Sequence, residues 1–592
     1  MSLRNIFSSS NGELNPVIII RYASFLLLLI GLTFFYLSPG FRGLNNEKGL
    51  EQAQIAREIA RGNGFKSKLI RPLSLRQSVE HSENVTLTSL HDTYHAPLNP
   101  LFNSIALNLY KDDFQWDRNE PIYPLDRVIT GVSMIFLFGS IVMTYLLVTG
   151  IFDAKIGSIT ALLMLLCEML WQFSQSGLPQ MLMLFLFTCA MYFLYKALES
   201  EVNDRNPLVW LLLCAGFFGI LALSHWLAIW PFVGLLIFTA LYFKPRGVAA
   251  ILMLLVFLAM VSPWAIRNTK ITGTPLGSGY FSILGGMSVG EEYIYRSYEP
   301  PSQNIFGAGF YTKIINTSID QLNGLYAFLG SITVAPLFFL SLLHPFKRRS
   351  IADFRWPILT MWLFAVMGMS LFGLPDKAYD ANQLHILFIP IMTAYGLAFI
   401  SILWGRMGFA TNMPLVRNGH LVITVFLSSV PMILGLIPGI RHSFRSKGMD
   451  TQALNISHIR DHTEPSEIVV SDAPASVAWY GDRSSLWLPT SPQQMREIKL
   501  LTAQKGQPLS GILLTRRSSN KSLFKMIYGK EREWAPLITG RAISFAGLRG
   551  LQPKSWTQAG ENMVTSMKDL DFTKLNSAMI AKGFFYLEDA EK

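Results

Sequence analysis

Long runs without charge recur along this chain, and they constrain its folding more than any other feature. A bilayer core about 30 Å thick takes roughly 20 apolar residues per crossing helix. The sequence offers such runs at 17–37, 128–150, 155–173, 180–197, 208–224, 226–243, 248–265, 324–343, 355–373, 384–404 and 420–440. They predict an α-helical polytopic membrane protein of about 11 spans. Composition agrees, since only 15% of the residues are charged, against roughly 25% in a soluble domain. The first run is too long for the apolar part of a secretory signal and no small-residue cleavage site follows it, so it is read as an anchor.

Basic residues orient the spans. With the N-terminus cytoplasmic, the short cytoplasmic segments hold 13 Lys and Arg, whereas the short external loops 174–180, 224–226 and 374–383 hold 1. The expected topology is therefore N-in and C-out. The net charge of +11 partly reflects this bias and calls for no nucleic-acid partner. Cys167, Cys189 and Cys214 fall inside spans, so neither disulfides nor cysteine metal sites are expected.

Three external segments are too long to be connectors: 38–127, 266–323 and the tail 441–592. The division that follows is a transmembrane domain over 1–440 and a soluble external domain over 441–592. In the first segment, Leu50, Ala53, Ile55, Ala56, Ile59 and Ala60 follow helical spacing, and Gly62 to Gly64 end the helix. Spacing alone reads as an amphipathic helix on the membrane surface. In the tail, SEIVVSDAPASVAWYGDRSSLWLP reads as strand, helical turn and strand, PQQMREIKLLTAQKG as helix and SGILLTRR as strand. That alternation predicts a small α/β domain, and no nucleotide-binding or nucleophile-elbow motif marks a site in it.

Polar residues at apolar depth are costly and so point to function. Glu47 and Glu51 form an acidic cluster at the start of the first-segment helix, and a carboxylate there can take a proton from an attacking hydroxyl or amine. HDTYHAPLNPL sets Asp92 and His95 before two prolines that break helix locally, either as an interfacial belt or as a site. In SPWAIRNTKITGTPL, Arg267 sits at an external membrane edge against the positive-inside bias, where an Arg fork suits phosphate oxygens. His225, Asp376, Asp380 and His385 lack metal-ligand spacing, so no metal is expected.

Taken in order, these stretches resemble the GT-C superfamily of membrane glycosyltransferases, specifically the bacterial relatives of protein O-mannosyltransferases and the lipid A aminoarabinose transferase. AREIARGNGF is similar to the family's A-R-x-x-x-x-G-x-G-[FY], HAPLNPL to [HK]-x-P-L, SPWAIRNTKITGTPL to P-W-x-x-R-N-x-x-x-x-G-x-P, and HILFIPIMTAYGLAF to a late span that opens on Arg or His shortly before a proline, here one residue closer than in the family. The resemblance implies an inverting transfer of a sugar from a polyprenyl-phosphate donor to an acceptor lipid, glycan or protein. It places the reaction on the external, periplasmic face of a bacterial inner membrane. It implies Glu51 as base, with Glu47 and Asp92 in reserve. His95 falls where relatives contact the donor phosphate, with Arg57, Arg267, Asn268 and His385 as further binding residues. Lys48 and Gly49 stand where relatives carry Asp-Glu. No cofactor is implied, and a divalent cation stays open. The rival readings are a flippase of lipid-linked intermediates, for which the inverted repeats of transporters are missing, and a membrane anchor for the tail.

Overall fold

The computed structural model describes residues 16–81, 86–110, 114, 116–117, 120–287, 289–300, 307–374, 379–407, 414–437, 453–519, 521–522, 532–548, 555–565, 567, 572, 574–576 and 583–589. Asp376 and the expected domain division at 440/441 lie outside these residues.

Helices make up most of the chain. Among the described residues, seven are long and apolar enough to cross a membrane: Ile19–Leu37, Pro124–Ile151, Gln180–Val202, Val248–Thr272, Arg349–Phe372, His385–Arg406 and Gly419–Leu436. Ala154–Leu165 and Glu168–Ser174, bent by 57°, make an eighth if taken as one span. Leu208–Ala222 and Trp226–Tyr242 are apolar but shorter than the others. The expected span at 324–343 is corrected: helix is confined there to Leu325–Phe328 and Leu337–Ser341. Between them Gly330 and Ser331 take left-handed backbone at φ 71° and 56°, and Pro336 starts the second piece. A β-branched Ile332-Thr333-Val334 run adds to the cost of helix at this point.

Helix α1, Glu47–Ala60, follows the first span. Asn46 caps it, its side chain accepting from the backbone of Lys48 at 3.0 Å and Gly49 at 3.4 Å. The helix stops at Ala60, with Gly62 beyond it at φ 81°. A side chain at position 49 would be driven into the Ser176 carbonyl, 1.8 Å from an added Cβ, which is a physical reason for glycine there. Every residue from Gly49 to Glu58 is buried. The surface-lying amphipathic helix is thus corrected to one enclosed on all sides, because each polar group on its outer face finds a partner. Gln52 accepts from Asn99 at 2.6 Å, Gln54 donates to Ser67 at 2.8 Å, and Glu58 pairs with Arg61 at 3.0 Å.

The rest of the first segment runs through strands β1, Lys66–Ser67, and β2, Leu69–Ile70, helix α2, Pro72–His81, and strand β3, Leu90–His91. β1 pairs antiparallel with β3. The tail supplies β4, Ile468–Ser471, helix α3, Pro474–Tyr480, β5, Ser484–Trp487, helix α4, Pro492–Gln504, β6, Leu509–Leu514, β7, Lys574–Leu575, and β8, Phe585–Glu588. The strands form one mixed sheet in the order β2-β5-β4-β6-β8-β7. β2 joins it as a parallel edge strand, Leu69 opposite Ser485 and Ile70 opposite Leu486. The sheet therefore needs a strand from the first segment, 400 residues upstream in the sequence, which a domain drawn over 441–592 leaves out.

α1 and the sheet share one core: Leu50, Ala53 and Ala56 pack with Val469, Val477, Trp479, Tyr480 and Leu513. Arg57, only 1% exposed, donates to the carbonyls of Ala478 at 2.6 Å and Trp479 at 2.7 Å. It also lies 3.0 Å from Asp482, which Arg61 and Lys68 grip at 2.8 Å and 2.7 Å. Arg57→Ala removes the buried member of this lock and is expected to cost about 3 kcal/mol. The loss is read as a lower thermal midpoint and faster proteolysis of the C-terminal sheet, and an unchanged midpoint would show that docking does not depend on this residue.

Candidate active site

Glu51 lies one helical turn after Glu47 on α1 and is 6% exposed. Three separate pieces of the first segment meet around it. Arg71, between β2 and α2, donates to Oε2 of Glu51, and His95 Nε2 lies 2.8 Å from the same oxygen. Burial opposes a charge on Glu51, but Arg71, His95 and Lys48 together outweigh it and bring the carboxyl from its ordinary 4.5 to about 2. The group is therefore an ionised carboxylate throughout the neutral range.

Asp92 does a different job. Its Oδ1 accepts from the backbone N–H groups of Tyr94 at 3.1 Å and His95 at 2.8 Å, which fixes the turn that presents the imidazole. The prolines that follow let helix begin at Leu98. Tyr94 lies under the Arg71 guanidinium, 4.2 Å from ring centre to Cζ. Its hydroxyl donates to Glu291 at 2.8 Å, an acid from the second long segment. Glu291 also takes Ser282 Oγ at 2.8 Å and the Lys48 ammonium at 3.2 Å. Burial works against charge on Glu291, and Lys48, Tyr94 and Ser282 lower its carboxyl below the usual value nonetheless.

A cleft opens beside this network, walled by Lys48, Gln52, Tyr94, His95, Trp226 and Asn382. His95 is on the wall and Glu51 sits one layer behind it. His95 Nδ1 makes no hydrogen bond to a described residue, so one ring nitrogen is committed to Glu51 and the other is available to a ligand. The C-terminal sheet also reaches the site. Arg517, just past β6, pairs with Glu47 and lies 2.6 Å from Glu292.

The residues expected from the sequence divide into two groups. Glu51, Asp92 and His95 come together, with Glu47 one helical turn away and paired with Arg517. Arg57, Arg267, Asn268 and His385 are placed elsewhere. Arg57 locks α1 to the C-terminal sheet. Arg267 donates to the carbonyls of Asp92 at 2.9 Å and Phe65 at 3.3 Å and stacks on Trp264, which ties the first segment to the Val248–Thr272 helix. Asn268 is fully buried and accepts from Arg267 at 3.0 Å. His385 is buried in the bundle, where Nδ1 accepts from Trp362 Nε1 at 3.1 Å, so Nε2 carries the hydrogen that faces Gln321 Oε1 at 3.1 Å. Arg71, Glu291, Ser282 and Arg517 were missed. Nothing local marks Arg71 or Arg517. The only signal for Glu291 was that its segment is too long for a connector.

Three acids of the network behind the cleft are each matched to a cation, Glu51 to Arg71, Glu291 to Lys48 and Glu47 to Arg517. Among the described residues no three His, Cys, Asp or Glu side chains gather as metal ligands would.

No protein-family model matches the sequence, and no curated protein matches it. Its fold does match solved structures. The Archaeoglobus fulgidus oligosaccharyltransferase in complex with Zn and sulfate superposes with a TM-score of 0.52 at 13% identity, over 87% of this chain and 70% of that one. The oligosaccharyltransferase AglB of the same organism, in complex with an inhibitory peptide and a dolichol-phosphate, gives 0.51 at 10% identity, over 87% and 72%. ArnT from Cupriavidus metallidurans bound to undecaprenyl phosphate gives 0.46 at 13% identity, over 85% and 94%. At these identities the likeness is one of fold alone: the chain is folded like the archaeal oligosaccharyltransferase.

Removing Arg71 leaves Glu51 buried with half its compensation. Arg71→Leu is expected to cost about 3 kcal/mol, most of it recovered in the double variant with Glu51→Leu. The lowered carboxyl also sets a pH window. Its stabilisation is complete above 4.5 and is lost as pH falls toward about 2. Thermal midpoints should fall more steeply across that window in the wild type than in Glu51→Gln, and parallel curves would refute the assignment.

Proposed function

We propose that this chain is a membrane glycosyltransferase that moves a sugar from a polyprenyl-phosphate donor to a hydroxyl or amine of an acceptor lipid, glycan or protein. We place the reaction on the external, periplasmic face of a bacterial inner membrane, with inversion at the anomeric carbon. The observation that carries the reading is the buried Glu51 carboxylate, held between Arg71 and His95 behind the wall of the cleft. The fold supports it, because the archaeal oligosaccharyltransferase that shares it was solved with a dolichol-phosphate and a peptide.

In the proposed reaction the acceptor oxygen or nitrogen attacks the anomeric carbon, the carbon–oxygen bond to phosphate breaks, and its electron pair stays on the phosphate. The acceptor proton passes to the Glu51–His95 pair. Since His95 lines the cleft and Glu51 does not, His95 Nδ1 is the atom that meets the acceptor. Glu51 holds the opposite ring nitrogen protonated and stabilises the imidazolium that forms. His95 thus takes a proton-transfer role in place of the phosphate contact that the resemblance implies. Arg71 fixes Glu51, Asp92 fixes the His95 backbone, and Lys48 on the cleft wall adds positive charge near the departing phosphate. A flippase or an anchor leaves this buried pair unexplained.

Transfer from a polyprenyl-phosphate sugar, followed by mass spectrometry of envelope lipids and proteins, tests the reading. Glu51→Gln and His95→Asn are each expected to lower kcat about a hundredfold or more while purified protein still binds polyprenyl phosphate. A Glu51 carboxylate acting alone would give a rate independent of pH down to about 2. Transfer through the pair predicts in addition that His95→Asn loses activity as fully as Glu51→Gln, whereas Glu51 acting alone would leave His95→Asn active. Full activity of both variants would end the proposal.

A further inference from the structure

The cleft wall beside His95 carries hydrogen-bonding atoms that the proposed proton transfer does not use. Gln52, next to Glu51 on α1, is 5% exposed. Asn99 Nδ2 donates to the Gly177 carbonyl at 3.1 Å and to Gln52 Oε1 at 2.6 Å. A backbone carbonyl can only accept, so the orientation of both amides is fixed, and Gln52 keeps its Nε2 donor for the cleft it lines. That nitrogen bonds no other described residue.

The turn 224–226 supplies two more donors. It is tied to the first segment by the Leu98 N–H, which donates to the Leu223 carbonyl at 3.0 Å. His225 Nδ1 accepts from the Leu227 N–H at 3.3 Å. Burial, helped by the charges of Lys48 and His95, pushes this imidazole down to about 3, so it is neutral and its one hydrogen sits on Nε2. The Trp226 indole N–H is buried and meets no acceptor among the described residues, a costly state unless a ligand brings an oxygen. The indole edge that carries it is turned to Gly279, also on the wall. A Cβ at Gly279 would stand 3.9 Å from Cδ1, the carbon bonded to Nε1.

Asn382 supplies the complementary group. It is 8% exposed, and Asp380 Oδ1 fixes it by accepting from its backbone N–H at 2.9 Å. Its Nδ2 donates to the Gly373 carbonyl at 2.8 Å, so Oδ1 is the end left to accept. Leu227 and Phe372 add apolar surface to the same wall. Neutral N–H donors, one amide oxygen as acceptor and an apolar patch together match the three parts of an acetamido group: carbonyl, N–H and methyl. A carboxylate fits less well, because the three donors are uncharged and Asn382 Oδ1 would face it with a negative dipole.

We propose that the cleft selects a sugar with an acetamido group on the carbon next to the anomeric centre. Gln52, His225 and Trp226 donate to its carbonyl and to a neighbouring hydroxyl, and Asn382 Oδ1 accepts from its N–H. That carbon is specified because these atoms share one cleft with His95, where the anomeric carbon has to lie. The inference rests on the sugar transfer proposed above and names its class of sugar.

Full-length protein in nanodiscs is titrated with bare undecaprenyl phosphate and with its N-acetylglucosaminyl and glucosyl derivatives, which differ from each other only in acetamido against hydroxyl. The wild type is expected to bind the N-acetylglucosaminyl donor about tenfold more tightly than the glucosyl one. Trp226→Phe removes only an N–H that has no partner in the free protein, and Gly279→Ala adds a methyl at ordinary contact distance from Tyr94 and Trp226. Both should bring the two affinities together by weakening the N-acetylglucosaminyl donor, with the glucosyl donor little changed. A purely structural role would move both affinities alike, and that result overturns the assignment of these residues. Equal binding of the two derivatives by the wild type overturns the acetamido sugar and leaves the glycosyltransferase reading intact. Failure of the wild type to bind either derivative or undecaprenyl phosphate itself removes both proposals.

Discussion

A helix that buries several charges can exist only where other segments bring partners to them, and α1 imposes that requirement on this protein. Glu51, Arg57 and Glu58 are all at most 6% exposed. Transfer of an unpaired ion into such surroundings costs several kcal/mol, so each charge dictates a neighbour. Arg57 requires the carbonyls at the end of α3, Glu58 requires Arg61, and Glu51 requires Arg71 and His95. The docking of the C-terminal sheet and the assembly of the candidate site are therefore one electrostatic problem solved on two faces of one helix.

That coupling gives the C-terminal sheet a place in function. Its edge strand β2 comes from the first segment, directly before Arg71. The same stretch of chain that completes the sheet thus delivers the cation that holds Glu51. Arg517, just past β6, pairs with Glu47 at the start of α1 and with Glu292, so the sheet also holds the beginning of that helix. A tail folding independently on a tether would do neither.

The apolar runs were legible because bilayer thickness converts directly into a length of uncharged sequence. They failed at 324–343, where mean apolarity is high but Gly330, Ser331 and Pro336 interrupt the backbone. The strand and helix pattern of 467–514 was legible for a similar local reason, whereas β2 was too short to leave any periodicity. At the site, Glu51, Asp92 and His95 could be singled out because they interrupt segments rich in apolar and turn residues. Their division of labour could not, since the acceptance of two backbone N–H groups by Asp92 and the seat of His95 on Glu51 are distances across a fold.

The sequence by itself determined that the chain is built from apolar helices, that long polar segments separate them, and that acids and histidines cluster in the first of these. Charge density and residue spacing carry such information without reference to any distant partner. Only the tertiary structure decided which charges gather at the candidate site and which serve architecture. Arg57, Arg71 and Arg267 are indistinguishable as letters, yet one locks a domain, one holds the candidate catalytic carboxylate and one pins a loop to a helix. The difference lies in what each finds within 3 Å once desolvation has forced it to find something, and partners hundreds of residues away in sequence become visible only when the chain has closed around them.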